Sequence, residues 1–309
     1  MHAWESIQNV LDFIEDNLAQ NNTPEELSKV AALSPFYFQR LFSRLVKRPV
    51  YEYVKMRRLA RACETLSDKD RRILDIALEY GFNSHESFTK TFKSAFGITP
   101  EEYRNHPVRL NQIVKPDLLL GYTMIDENVP LITDSIVLEI SRKVLNVPEL
   151  YIGFSGQVPL SQQTPLSETT GVDVPGLLWD KFHDQKADIQ GLVPNGIELA
   201  VSLSGKIEKH FTYFVGASAM PEAKASGDFE VWELPAAEYV ICSFEAENFA
   251  ELTSSALYKS MNYLFDIWLP KHGLTAQPFS VEKYYATNPE VRKMEIWVIP
   301  VPIAESEIR

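Results

Sequence analysis

Along the first hundred residues, apolar side chains return every three or four positions. Trp4, Ile7, Val10, Leu11, Ile14 and Leu18 share one side of a helix predicted over about residues 3–20. Thr23-Pro24-Glu25-Glu26 supplies a capping hydroxyl, a proline that forfeits no hydrogen bond in the first turn, and a carboxylate that closes a capping box. Thr99-Pro100-Glu101-Glu102 repeats the device. Ser34-Pro35 and Ser84 mark two more starts, and Gly81 and Gly97 two ends. Short helices are therefore predicted near 24–32, 35–46, 50–66, 73–80, 85–96 and 100–105, which makes a compact all-α unit. His106-Pro107 closes it, and the Pro-punctuated stretch 108–134, with Leu118, Leu119, Leu120 and Tyr122, reads as a partly packed linker. From Ser135 the period becomes two: strands are predicted around 136–145, 150–156, 196–204, 210–219, 229–234, 238–246, 278–286 and 293–301, with helices at about 175–184 and 250–270. The expected fold class is multidomain: an all-α unit over 1–107, a linker over 108–134 and an α+β unit over 135–309.

Charge divides the chain at the same place. The whole carries −12, yet residues 1–110 hold 16 basic against 15 acidic side chains and residues 111–309 hold 14 against 27. Within residues 40–72 there are 11 basic and 4 acidic residues, a local excess that suits a phosphate backbone. No apolar run approaches the roughly 18 residues of a membrane helix, so no membrane partner is expected. The opening MHAWESIQNV has neither a basic nor an apolar leader region, which predicts a cytoplasmic protein. Cys63 and Cys242 form no C-x-x-C pair, and the six histidines show no metal-ligand spacing, so neither a metal nor a cofactor is expected. Rossmann and P-loop glycine patterns and a nucleophile elbow are missing too, which argues against an enzyme.

The helical unit repeats at an offset of 50 residues, pairing Ser34 with Ser84, Phe38 with Phe88, Arg40 with Lys90 and Phe42 with Phe92. Each copy is a short helix, a tight turn, a capping serine and a helix with an aromatic inner face, which is the pattern of a helix-turn-helix. With Asp75-Ile76-Ala77, Gly81-Phe82, Ser84, Phe88-Thr89, Phe92-Lys93, Phe96-Gly97, Thr99-Pro100 and Tyr103-Arg104, residues 5–107 resemble the DNA-binding domain of the AraC/XylS family of transcription regulators. The resemblance implies two reading helices joined by a long helix, here 50–66, and double-stranded DNA as partner; RNA polymerase is a candidate second partner. Carried over by position, the groove-facing residues are Phe36, Gln39 and Arg40 in the first reading helix and His85, Glu86, Thr89 and Lys90 in the second. Their chemistry suits base edges, Arg pairing with guanine and Gln with adenine. Arg44, Lys47, Arg57, Arg58 and Arg61 are expected to neutralise phosphates. Lys47 stands where the first copy of the family pattern usually has a glycine. Taken one at a time, any of these polar residues also fits a solvated helix face.

The second half also repeats, as hairpin, helix, hairpin: Val147–Ile152 turns one opening hairpin and Leu234–Val240 the other. Residues 135–303 resemble the GyrI-like, or bacterial effector-binding, domain, which implies a small-molecule effector. Period-two alternation groups Glu282 with Tyr284, and Glu295 with Trp297 and Ile299. Taken together on the last hairpin, these acids and aromatics predict one acidic aromatic pocket for a hydrophobic cation, and the resemblance places Glu282, Glu295 and Trp297 at the binding cavity. Trp179, Tyr213, Trp232 and Tyr239 are further candidates for its wall. Glu149, on the first turn, is expected to play no part. The plain alternatives are carboxylates on a solvated sheet face and aromatics in ordinary core. The reading that results is a one-component transcriptional regulator, and the alternatives for the C-terminal unit are a small-molecule hydrolase or a protein-interaction module.

Overall fold

The structure, a computed structural model, describes residues 3–133, 136–160, 170–204, 207–285 and 293–303. These divide into two compact units, residues 3–122 with 170–173, and residues 123–160 with 174–303. Residues 108–122 of the stretch read as a linker thus lie in the first unit and 123–133 in the second.

The first unit holds α1 (Ala3–Asp16), α2 (Pro24–Val30), α3 (Pro35–Val46), α4 (Val50–Leu66), α5 (Ile73–Glu79), α6 (His85–Phe96) and α7 (Pro100–Asn105). Both Thr-Pro-Glu-Glu signals form full capping boxes, at α2 and α7, and Ser34 and Ser84 cap α3 and α6. Helix α1 ends at Asp16, short of the predicted residue 20, because the Asn17 side chain takes the Phe13 carbonyl and the Asn22 side chain takes the Asn17 carbonyl. Among the described residues of this unit there are two cores. Ile7, Leu11, Leu27, Phe38, Phe42 and Tyr53 build the first. Leu59, Cys63, Ile76, Phe88 and Phe92 build the second, so α4 supplies its first half to one core and its second half to the other. Lys47 ends α3 in the left-handed conformation, φ 59°, that Gly97 adopts with φ 79° after α6. The turn keeps its shape with a lysine at a cost of about 1–2 kcal/mol. Beyond α7 the chain runs back over α1: Leu118 is buried in the first core, its N–H donates to Gln8, Lys115 pairs with Asp12, and Tyr122 stacks on Trp4. Strand β1 (Leu110–Asn111) pairs antiparallel with residues 171–172.

In the second unit, residues 123–133 dock on a long helical run: the Ile125 N–H donates to Tyr263, and the Trp268 indole donates to the Ile125 carbonyl. Strands follow as β2 (Leu131–Ile132), β3 (Ile136–Leu145) and β4 (Glu149–Pro159); β5 (Gly171–Val172) is the partner of β1 in the first unit. Then come α8 (Val174–Gln185), β6 (Glu198–Ser204), β7 (His210–Ser218), β8 (Glu230–Leu234), β9 (Ala237–Ala246), the helical run over 249–271, β10 (Leu274–Ala276), β11 (Phe279–Tyr284), β12 (Lys293–Val298) and β13 (Pro300–Pro302). Nine of these form one sheet, in the order β2-β3-β9-β12-β11-β6-β7-β4-β8.

That order forces the sheet to curl. Strands β3 and β4 stand six places apart, about 29 Å if the sheet were flat, yet only four Cα steps, about 14 Å, join Leu145 to Glu149. The short link from Leu234 to Ala237 makes the same demand between β8 and β9. The enclosed face carries Tyr151, Leu199, Val201, Phe214, Tyr239, Ile241, Val281 and Trp297, a core to which, among the described residues, no helix contributes. Gly153 and Gly216 face each other on β4 and β7, and a Cβ on Gly153 would lie 1.8 Å from the Val215 carbonyl oxygen, so the strands approach there only as glycines. The outer face packs α8 against Ile152, Phe154, Val158, Tyr213 and Val215.

Candidate functional site

In the helical unit α3 turns Phe38 and Phe42 inward and α6 turns Phe88, Phe92 and Phe96 inward, while most polar residues of both helices face out. Phe36 is 63% exposed, Gln39, Arg40 and Arg44 are exposed beside it, and the Arg40 guanidinium lies 5.5 Å from the Phe36 ring. His85, Glu86 and Lys90 are exposed on α6. Thr89 is the exception, since its hydroxyl is shut away from solvent rather than presented outward.

Two arginines expected on phosphates are turned into the fold. The Arg57 side chain is 11% exposed; its guanidinium bonds both Glu15 oxygens, at 2.7 and 2.8 Å, and donates to the Ile113 carbonyl. Burial alone would raise the Glu15 carboxyl, but Arg57 and Tyr53 outweigh it and hold the acid below its ordinary range. Arg58 donates to the carbonyls of Leu18, Gln20 and Gly81, with its guanidinium lying where a Gly81 side chain would be. The reason is their place on α4, the helix shared by both cores, where a long cation ties neighbouring elements together. Arg61 stays nearly half exposed and pairs with Glu64 and Glu15.

In the sheet, register splits the expected pocket in two. Glu282 stands opposite Ala200 and Ile296, and Lys283 opposite Leu199 and Glu295; directly opposed residues share a face. Glu282 and Tyr284 therefore point to the outer face, and Glu295 and Trp297 to the enclosed one. The single acidic aromatic pocket on the last hairpin does not exist. Alternation ties residues within one strand only, and the phase between two strands is set by their pairing.

On the outer face Glu282 is 4% exposed, and one of its oxygens accepts from Tyr284, 2.8 Å, and Tyr213, 3.1 Å. Tyr213 stands opposite Ser202, and the small Ser202 and Ala200 on β6 let its hydroxyl reach over to β11. Burial, then the Glu282 charge, push the Tyr284 phenol well above its ordinary range. Trp179, from α8, packs edge-on against Tyr284 with centroids 4.8 Å apart. Opposite Tyr284 stands a second carboxylate, Glu198, held by His183 at 3.0 Å and Lys186 at 2.5 Å.

The enclosed face is differently furnished. Lys283, 1% exposed, sits 3.9 Å above the Trp297 ring, and its ammonium donates to Glu149 at 2.7 Å. Tyr151 donates to the same Glu149 oxygen, and Lys143 lies 5.0 Å from the Trp297 ring. Glu149 thus reaches the hairpin after all, from the far side of the curl. Burial lowers the Lys283 ammonium, and the Glu149 contact opposes it without reversing it. Glu295 accepts from Trp297, Tyr285 and Ser243. Tyr239 packs on Trp297 at 5.2 Å, and Trp232 belongs to the same core.

Residues 27–106 match the model of a helix-turn-helix domain, and residues 152–301 that of a GyrI-like small molecule binding domain. Over 104 residues the chain is 38% identical to the uncharacterized HTH-type transcriptional regulator YbfP of Bacillus subtilis, spanning 34% of this chain and 35% of that protein. It is 32% identical over 108 residues to the HTH-type transcriptional activator AarP of Providencia stuartii, spanning 35% of this chain and 80% of AarP. The chain belongs to the AraC family of transcriptional regulators. A crystal structure of an AraC-type regulator from Chromobacterium violaceum covers 33% of this chain and 95% of that one, at 25% identity and a TM-score of 0.32.

This AraC-family regulator carries features that one-dimensional reading passed over. Tyr37, 65% exposed, stands next to Phe36 on the first reading helix, and Tyr51, 77% exposed, opens α4 with Lys55 beside it. Exposed aromatics beside the basic stretch were the available signal for them. Glu198 and Lys283 gave none, because their partners lie on other strands and helices. Among the described residues no cluster of His, Cys, Asp and Glu could hold a metal, and no helix is long and apolar enough to cross a membrane.

Proposed function

We propose that the protein is a one-component transcriptional regulator that reads duplex DNA with α3 and α6 and senses a small hydrophobic cation at Glu282. The observation that carries the second part is a carboxylate 4% exposed, bonded by two tyrosines and flanked through Tyr284 by Trp179. A charge set among aromatic rings favours a cation with an apolar body, each ring adding about 0.5–2 kcal/mol. Base reading falls to Phe36, Gln39 and Arg40 in α3 and to His85, Glu86 and Lys90 in α6; Arg44 and Lys47 serve the backbone. The two opening strand pairs expected as hairpins are not paired with each other, since β3 pairs with β9 and β4 with β8. What supports an internal duplication is the recurring order of two strands, a helix and two strands, β3-β4-α8-β6-β7 and β8-β9, the helix over 249–271, β11-β12, with domain boundaries near residues 122 and 174.

Calorimetry of the full chain with tetraphenylphosphonium and with neutral triphenylphosphine oxide tests the cation site. Glu282→Gln keeps the volume and removes the charge, so it should lower affinity for the phosphonium at least tenfold and leave the neutral compound unchanged. Equal binding of both compounds, indifferent to Glu282→Gln, refutes the site.

A further inference from the structure

Immediately before α8 the chain belongs to the helical unit. The Thr170 hydroxyl donates to the Ala95 carbonyl at 2.5 Å, in the last turn of the second reading helix. Gly171 and Val172 pair with Asn111 and Leu110, and the Asp173 N–H donates to the Arg109 carbonyl at 2.8 Å. The last four carbonyls of a helix have no partner inside it, so Thr170 closes the end of α6 from a segment 75 residues away in sequence. The next peptide bond begins α8, whose Trp179 packs on Tyr284 and whose His183 bonds Glu198.

We propose that residues 170–173 are a tether by which the position of α8 controls the second reading helix. The chain is nearly inextensible, about 3.8 Å between successive Cα atoms. When α8 moves relative to residues 170–173 by more than that, Asp173 alone does not absorb the movement; the pull falls on the Asp173–Arg109 bond, then on the β1–β5 pair, then on the Thr170 contact with α6. A ligand that displaces Trp179 is thereby felt at DNA through four residues. That the mover is a cation at Glu282 rests on the function proposed above, whereas the tether rests on the contacts of residues 170–173.

The experiment uses the full chain in three forms: wild type, a variant with six Gly/Ser residues inserted between Asp173 and Val174, and Thr170→Val. Hydrogen exchange of α6 is followed by mass spectrometry with and without Trp179→Ala, which loosens α8 without any ligand. In the natural linkage Trp179→Ala should speed exchange at residues 95–97 at least fivefold. With the insertion the same change should alter it less than twofold, and Thr170→Val should fall between. A second arm measures affinity for duplexes selected by the full chain from a random library, with and without saturating tetraphenylphosphonium. The compound should change affinity severalfold in wild type and not in the insertion variant. Equal responses of α6 in both linkages, or none in either, overturn the tether. If the compound fails to bind, the cation reading falls while the exchange arm still decides the tether.

Discussion

Replacing Glu149 with Gln keeps the side-chain volume and removes the counter-charge of an ammonium that is 1% exposed. At 2.7 Å the attraction between the two charges is about 6 kcal/mol for an effective dielectric of about 20, and burying the lysine offsets much of it. What survives in the mutant is a buried cation that has lost its hydrogen-bonded counter-charge and keeps only Glu295, opposite it on β12, as an acidic neighbour; stranding one partner of a buried pair costs about 3–5 kcal/mol. Glu149 is 34% exposed, so water reaches its end of the pair and the expected loss drops to about 2–4 kcal/mol. Lys283→Met behaves differently. It removes the buried charge itself and leaves Glu149 bonded to Tyr151 and partly in water, so it should cost less than about 1.5 kcal/mol. Four of the five tryptophans, Trp179, Trp232, Trp268 and Trp297, lie in the sheet-bearing unit, so fluorescence during urea unfolding reports on that unit. With a denaturant slope of about 2 kcal/mol/M, Glu149→Gln should lower the midpoint by about 1–2 M. Lys283→Met should lower it by less than about 0.8 M, and the double mutant should match Lys283→Met. Because burial lowers the Lys283 ammonium, the folded state sheds that proton more readily than the unfolded chain. The penalty is full at low pH and relieved as pH rises towards the ordinary lysine value, so the Glu149→Gln deficit should shrink in alkaline buffer. If Glu149→Gln is as mild as Lys283→Met at neutral pH, the ion pair does not hold the curl.

Arg40→Ala should relax base preference at one half-site by about 1–3 kcal/mol. Arg57→Ala should instead lower the melting temperature of the helical unit while leaving the salt dependence of DNA binding unchanged; a flattened salt slope in Arg57→Ala would return that arginine to the phosphates. Gly153→Ala places a Cβ on the Val215 carbonyl and should unfold the sheet-bearing unit, as read by tryptophan fluorescence; a native midpoint would show that the close approach of β4 to β7 tolerates a side chain.

Local signals were legible from the residues alone because their physics is local. A capping box acts within one helical turn, and both Thr-Pro-Glu-Glu stretches form one. The spacing of Phe38, Phe42, Phe88 and Phe92 fixes which side of α3 and α6 is inward, and so leaves Gln39, Arg40 and Lys90 outward. The positions of the longer strands, β3, β4, β6 to β9, β11 and β12, followed likewise from alternation and turn residues, whereas the short β1, β2, β5 and β10 carried no such signal. What the one-dimensional pattern left undetermined is everything that depends on a partner far away in sequence. Along β11, Ser280, Val281, Glu282 and Lys283 are all buried, so alternation carries no sign of which face is which. Pairing with β6 and β12 decides it, and sends Glu282 to Tyr213 and Lys283 to Glu149. The arginines of α4 show the same limit: a basic stretch reads as a phosphate-binding surface until packing puts Glu15 against Arg57 and three carbonyls around Arg58. Charge and periodicity determine what each segment is able to do, and the closing of the chain over tens of residues determines which of those abilities faces solvent.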